Sequence, residues 1–409
     1  MKESLNSSKV IVALLMLSAL ALPVLLNVSI VCWIAIALVR LVIPNERKAM
    51  IAIFKENRLL QILPALYLLH VIGLLWTDNF KYAGLDLQIK LTLLLLPFAI
   101  GTSQITKSDR INVLKSFVGG CIIASLYLLV NAFNNFSTTN NVHVFFYTEL
   151  CSVLMHPTYF SMYINLAIIV LLYLIISAKA VRTQSISAII LYFLMLMSIL
   201  LSARTAQASI VITAILFVLM MFKSFQLKSS GIAILATVIL MTIPTHLLLT
   251  KLNNRYTQVE NAIATPAQGD KVEYNSTTGR MEIWKESFEV LKGNWLLGTG
   301  TGDIKDELVK TYKSHDFKYG YEKELNTHNE YLQIWLSIGL IGLILILLVH
   351  LIPVIQFRSY PDLIFPIFMI ICGLNALTEA TLETQRGVLF FAFFFSLMAV
   401  NSKASERLL

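Results

Sequence analysis

Three charged or titratable side chains stand where apolar stretches begin or nearly meet, or where an amphipathic stretch begins. Arg204 lies in LSARTAQASI, between two apolar runs joined by almost no linker. Arg280 opens TGRMEIWKESFEVLKGNW, and His328, in ELNTHNEYLQIW, directly precedes another apolar run. A guanidinium grips phosphate oxygens through paired hydrogen bonds. An imidazole can accept a proton near neutral pH. Fixed cations also stabilise the negative charge that develops on a departing diphosphate. Two arginines and a histidine on one side of a membrane therefore suit a diphosphate substrate and an attacking hydroxyl.

Each residue also has a plainer reading. Arg204 can snorkel from a tight hairpin, although its neighbours Ser202, Ala203, Thr205, Ala206, Ala208 and Ser209 are small and leave room for a ligand. Arg280 can be a solvated residue of a surface helix. In a first turn, however, a cation is disfavoured by the helix dipole, and an anion there meets both the Arg and open N–H groups. His328 can be a helix cap. His156, in MHPTYFSMY, opens another run just before Pro157 and is expected to be structural first. Glu379, Glu383 and Arg386, in TEATLETQRGVLFF, either pair with one another or line the same pocket. LGTGTGD has neither dinucleotide nor P-loop spacing and reads as a tight turn. Asn135 and Asn275 fit a three-residue glycosylation sequon that is common by chance.

The elements that must position these residues are membrane helices. The 409 residues are 57% hydrophobic and 14% charged, with mean hydropathy +0.73. A soluble domain is about 45–50% apolar and roughly 25% charged. Continuous apolar runs, without β alternation, predict an all-α polytopic bundle in a single integral membrane domain over 1–409. Twelve spans are expected near 10–26, 28–43, 59–76, 85–101, 111–132, 158–177, 185–202, 205–222, 231–250, 329–355, 361–378 and 387–401. Lys2 and Lys9 before the first run imitate a signal peptide, but a second apolar run follows at once, so an uncleaved span is expected. Residues 251–328 form the one long hydrophilic insertion, between spans nine and ten. Within it Met281, Trp284, Phe288 and Leu291 recur at helical spacing and predict an amphipathic helix resting on the bundle or the membrane surface.

With both termini cytoplasmic, the inner segments hold Arg40, Arg47, Lys48, Lys55, Arg58, Lys107, Arg110, Lys115, Lys179, Arg182, Arg358 and other cations. The short outer segments then hold only Lys81, Lys90, Arg204 and Arg386. This asymmetry orients the chain and puts 251–328, with the candidate site, outside. The net charge of +8 follows membrane orientation, with no basic block of the kind that binds nucleic acid. Cys32, Cys121, Cys151 and Cys372 lie far apart, so neither a disulfide framework nor a zinc site is expected. A glycosyl donor on the outer side would be lipid-linked, because nucleotide sugars are absent there.

LSARTAQ, TGRMEIWKESFEVLKGNWLLGTGTGD and NTHNEYLQIWLSIGLIGL together resemble the O-antigen ligase and polymerase superfamily, most closely its lipid A-core:surface polymer ligases. HPTYFSMY and LETQRGVLFFAFFF are also similar to ligase-type members. The resemblance runs from about residue 150 onward. It implies an inner-membrane glycosyltransferase without cofactor or metal, inverting at the anomeric carbon and working on the periplasmic face. It implies an undecaprenyl-diphosphate-linked glycan as donor and lipid A-core or another glycan as acceptor. Arg204 and Arg280 would bind the diphosphate and His328 would assist acceptor attack, with Asn329, Tyr331, His156, Glu379 and Arg386 in supporting positions. A polymerase that joins repeat units on the carrier lipid would need the same arginines and stays open. A flippase or exporter of lipid-linked sugars is a third reading, expected to carry charges in mid-span. The modest insertion and short C-terminal region argue against a protein oligosaccharyltransferase.

Overall fold

The computed structural model describes residues 2–224, 247, 278–360 and 363–399. The expected span at 231–250, apart from Leu247, and the first part of the insertion, including the Asn275 sequon, lie outside the described residues. The described chain is all-α. In order, its helices are α1 (Lys2–Ala21), α2 (Leu26–Val42), α3 (Pro44–Glu56), α4 (Arg58–Ile72), α5 (Phe80–Ala99), α6 (Lys107–Thr139), α7 (Tyr147–Cys151) and α8 (Pro157–Ser177). There follow α9 (Val181–Leu201), α10 (Arg204–Ser224), α11 (Thr278–Asn294), α12 (Ile304–Ser314), α13 (Lys318–Glu322), α14 (Glu330–Ile355), α15 (Ile364–Ala376) and α16 (Gln385–Met398).

Every expected span within the described residues meets an apolar helix. Arg58–Trp76, Phe80–Ala99, Lys107–Thr139, Pro157–Ser177, Val181–Leu201 and Glu330–Ile355 are each long and apolar enough to cross a membrane. The apolar parts Ser7–Ala21, Arg204–Phe217, Ile364–Ala376 and Gln385–Met398 are shorter. For α15 and α16 the reason is burial, since nearly every residue of both is enclosed by protein. A helix wrapped by other helices need not span the roughly 30 Å that lipid-facing ones must match.

The interior is built around α8, whose apolar residues run round the whole helix and are almost all buried. It packs against α6, α9, α10, α15 and α16. Aromatic contacts close the joint with α16: Tyr163 stacks on Phe390 at 4.3 Å, and Phe117 meets Phe394 edge-on at 4.6 Å. Inside this apolar mass Asn165 donates to the Ala206 carbonyl at 2.8 Å and to Ser209 Oγ at 2.9 Å, and Asn375 donates to the same Ser209 at 3.3 Å. Three helices are thereby pinned around the start of α10.

Several expectations are corrected. The segment between the expected spans 28–43 and 59–76 is helical. Pro44 occupies the first turn of α3, and α2 and α3 meet at 102°. The helix expected over 111–132 runs to Thr139, where Asn140 ends it in the left-handed conformation at φ 55°. Lys90 is not a charge of an outer connection: it lies within α5 and is 2% exposed. Of the expected face of α11, Trp284 and Leu291 pack inward and Met281 and Phe288 do not. Ile283, Glu286, Ser287, Val290 and Leu291 are buried, whereas Met281 and Phe288 are 64% and 50% exposed. The partner decides this, because Ile283, Val290 and Leu291 join Ile304, Leu308 and Tyr312 of α12 in a second apolar core. Glu286 is carried inward with them and is met by His315 Nδ1 at the end of α12.

The glycine-rich stretch does make a turn, and more. The span 329–355 is broken inside at Ile338 and Gly339, the latter at φ 73°, and residues 296–300 fill the break. The Leu296 carbonyl accepts from Leu340 N at 3.1 Å, Thr299 N donates to the Leu336 carbonyl at 2.7 Å, and Gly300 N donates to the Ser337 carbonyl at 3.1 Å. Backbone groups freed by a broken membrane helix must find such partners. The next residues stitch the insertion to the α4–α5 connection. Thr301 Oγ1 donates to the His70 carbonyl at 2.6 Å, and the Asp303 carboxylate accepts from Asp78 N at 2.8 Å and Asn79 N at 2.7 Å.

A Cβ on Gly298, already at φ 77°, would lie 2.6 Å from the Ser337 carbonyl. Gly298→Ala is expected to cost about 2 kcal/mol or more through backbone strain and overlap. Thermal unfolding in detergent checks this against Gly293→Ala, where a Cβ meets nothing within 4 Å.

Candidate active site

Four connections meet at one end of the bundle: those after α6, α9 and α15, and the described part of the insertion. There they enclose a cleft of about 220 Å³. Its lining includes Arg204, Thr205, Arg280, Trp284, Tyr147 and Thr378.

Arg204 arrives by a hairpin of minimal length. Ser202 ends α9 in the left-handed region at φ 49°, and α10 starts two residues later. Ala203 and Ala206 put little bulk beside the guanidinium, so both line the cleft with it. Thr378 Oγ1 donates to Thr205 Oγ1 at 2.9 Å and ties this helix start to the turn after α15.

Arg280 stands in the first turn of α11, beside cleft-lining Met281 and Trp284. Trp284 Nε1 donates to the Thr327 carbonyl at 3.0 Å, so α11 is fastened to the residue before His328. His328 itself has φ 43°. That backbone state is uncommon outside glycine, and such strain concentrates at functional sites. Its amide donates to Asn326 Oδ1 at 3.0 Å, which holds the turn.

Glu379 joins these parts. One carboxylate oxygen lies 3.8 Å from Arg280 Nη2 and the other 3.5 Å from His328 Nδ1. The carboxylate is 11% exposed, and the two side chains it faces are 29% exposed each. Two guanidiniums in one cleft repel each other; the carboxylate offsets one of them and leaves a site that favours an anion. The same carboxylate lies on the Nδ1 side of the imidazole, away from Nε2.

The other expected residues fall around this core. Asn329 caps α14, its Oδ1 accepting from Leu332 N at 3.1 Å, and its Nδ2 donates to the Leu377 carbonyl at 3.1 Å. His156 caps α8 by accepting from Thr158 N, with its ring edge-on to Tyr147, so it borders the cleft between two lining residues. Tyr331 points elsewhere: its hydroxyl donates to the Gly373 carbonyl at 3.1 Å and its ring meets His350. Glu383 pairs with Lys90 at 2.7 Å rather than with Glu379 or Arg386. Arg386 is not among the lining residues, and its carbonyl accepts from Tyr163 at 2.9 Å. Thr378 and Tyr147 went unnoticed in the sequence because nothing in their spacing marks them. Among the described residues no group of His, Cys, Asp or Glu is arranged to hold a metal ion.

Removing Glu379 should therefore disturb two partners at once. Glu379→Gln is expected to lower activity at least tenfold with little change in melting temperature, because an amide keeps the volume but neither charge partner. Assay of the purified variant beside its unfolding curve tests both halves.

Residues 188–347 match the family model described as O-antigen ligase, a stretch that contains Arg204, Arg280 and His328. No curated protein matches the chain. The matched stretch brings with it a glycosyltransferase-like role in O-antigen processing and a lipid-linked glycan as substrate. Residues 188–347 of this chain are thus similar to the O-antigen ligase superfamily.

Proposed function

We propose that the protein transfers a glycan from undecaprenyl diphosphate to a sugar hydroxyl of lipid A-core, on the periplasmic face of the inner membrane. The observation that carries this reading is one shared cleft: Arg204 and Arg280 line it, and Glu379 links Arg280 to His328. Both termini are then cytoplasmic, as the distribution of Lys and Arg requires.

In this reading the guanidiniums of Arg204 and Arg280 hold the diphosphate in bidentate contacts. The acceptor hydroxyl attacks the anomeric carbon from the face opposite the diphosphate. His328 Nε2 takes the hydroxyl proton as the new C–O bond forms. The bond from the anomeric carbon to the diphosphate oxygen breaks, and its electron pair stays on the diphosphate. The two arginines stabilise that growing charge, which is worth roughly 2.7–4 kcal/mol per well-placed donor in comparable sites. Glu379 holds Nδ1 and stabilises the imidazolium. A single displacement of this kind inverts the anomeric centre, and its steps need only these side chains.

Arg204→Ala, Arg280→Ala and His328→Ala are each expected to lower transfer at least a hundredfold while the protein still inserts. Lys in place of either Arg should restore only part, since a point charge does not grip two oxygens. The test of the reaction is lipopolysaccharide from a deletion strain, separated on a gel. Loss of all O-antigen bands, with polymer retained on the carrier lipid, supports ligation. Lipid A-core bearing a single repeat would instead assign repeat-unit polymerisation. Normal surface polysaccharide in all three alanine variants would remove the mechanism.

A further inference from the structure

Away from the cleft, the most heavily buried charge cluster is in α5. The Lys90 ammonium is 2% exposed and paired with Asp86 one turn earlier and with Glu383 at 2.7 Å. Taking an ammonium and two carboxylates out of water is costly, and a buried ion pair is seldom more stabilising than apolar residues of similar size. Its location gives it a use. Glu383 ends the short 3-10 turn Thr381–Glu383, four residues after Glu379.

That turn is gripped from two helices. Lys90 holds Glu383 from α5, and the Glu330 carboxylate of α14 accepts from Leu382 N at 2.7 Å. At its other end the connection is held by Asn329, which donates to the Leu377 carbonyl, and by Thr378, which donates to Thr205. Gly387 lets the start of α16 close onto the turn, for a Cβ there would overlap the Thr381 carbonyl. Glu379 sits between these anchor points, and its two cation contacts depend on where the connection is held.

We propose that Lys90 is a positioning residue for the cleft: through Glu383 it fixes the turn that presents Glu379 to Arg280 and His328. The catalytic consequence rests on the proposed transfer reaction, whereas the positioning does not.

The test uses full-length protein in detergent and three variants: Lys90→Met, Lys90→Arg, and the neutral triple Asp86→Asn/Lys90→Met/Glu383→Gln. Amide hydrogen exchange over 377–384 reads the turn, and glycan transfer from undecaprenyl diphosphate reads the site. Lys90→Met is expected to speed exchange in the turn and slow transfer, each at least tenfold. Lys90→Arg should regain part of both, because it keeps a cation against Glu383. The neutral triple leaves no uncompensated buried charge; it should recover folded yield yet keep fast exchange and slow transfer. Wild-type exchange in Lys90→Met, or full recovery of protection and transfer in the triple, would overturn the proposal. If Arg280→Ala also transfers normally, the transfer reaction itself fails, and the exchange measurement still decides the role of Lys90.

Discussion

One carboxylate sets the terms of this site. Glu379 lies between a guanidinium from the insertion and an imidazole at the head of α14, while its own backbone belongs to the turn before α16. Three segments far apart in sequence therefore meet at a single side chain. Without that negative charge, two arginines would share one cleft, and like charges repel. With it, the cleft retains a cationic character suited to an anion, and the imidazole has a carboxylate beside its Nδ1.

A carboxylate on a short connection holds its place only if the connection is tied down. Here the ties come from neighbouring helices rather than from a ladder of its own. The insertion is fixed with equal care. Its glycine-rich turn enters the break in α14, and Asp303 caps the amides of Asp78 and Asn79. Arg280 thus stands on an element joined to the bundle by backbone hydrogen bonds on one side and by Trp284 on the other. Sites whose groups must hold to a fraction of an ångström are built on such supports.

The spans were legible in the sequence because hydrocarbon imposes a length and composition that few soluble helices share. Arg204 and His328 stood out for a related reason, since each is a costly residue placed at the end of an apolar run, whereas Arg280 stood out as a cation in the first turn of an amphipathic helix. What stayed hidden depends on partners distant in the chain. Nothing near Gly339 marks a broken helix, since the chain that fills the break lies about forty residues earlier. The buried face of α11 was read only in part, because α12 takes Ile283 and Val290 beside the expected Leu291 and leaves the more conspicuous Met281 and Phe288 outside. Lys90 carried a readable sign, an Asp four residues before a Lys within an apolar helix, but its second partner, Glu383, is visible only in three dimensions.

If the two guanidiniums hold the diphosphate and the imidazole serves only the attacking hydroxyl, binding and reaction should separate cleanly. Titration of undecaprenyl diphosphate into purified Arg204→Ala, Arg280→Ala and His328→Ala proteins measures this directly. The expected result is affinity weakened at least tenfold in both arginine variants and nearly unchanged in His328→Ala. Wild-type affinity in either arginine variant would contradict the account.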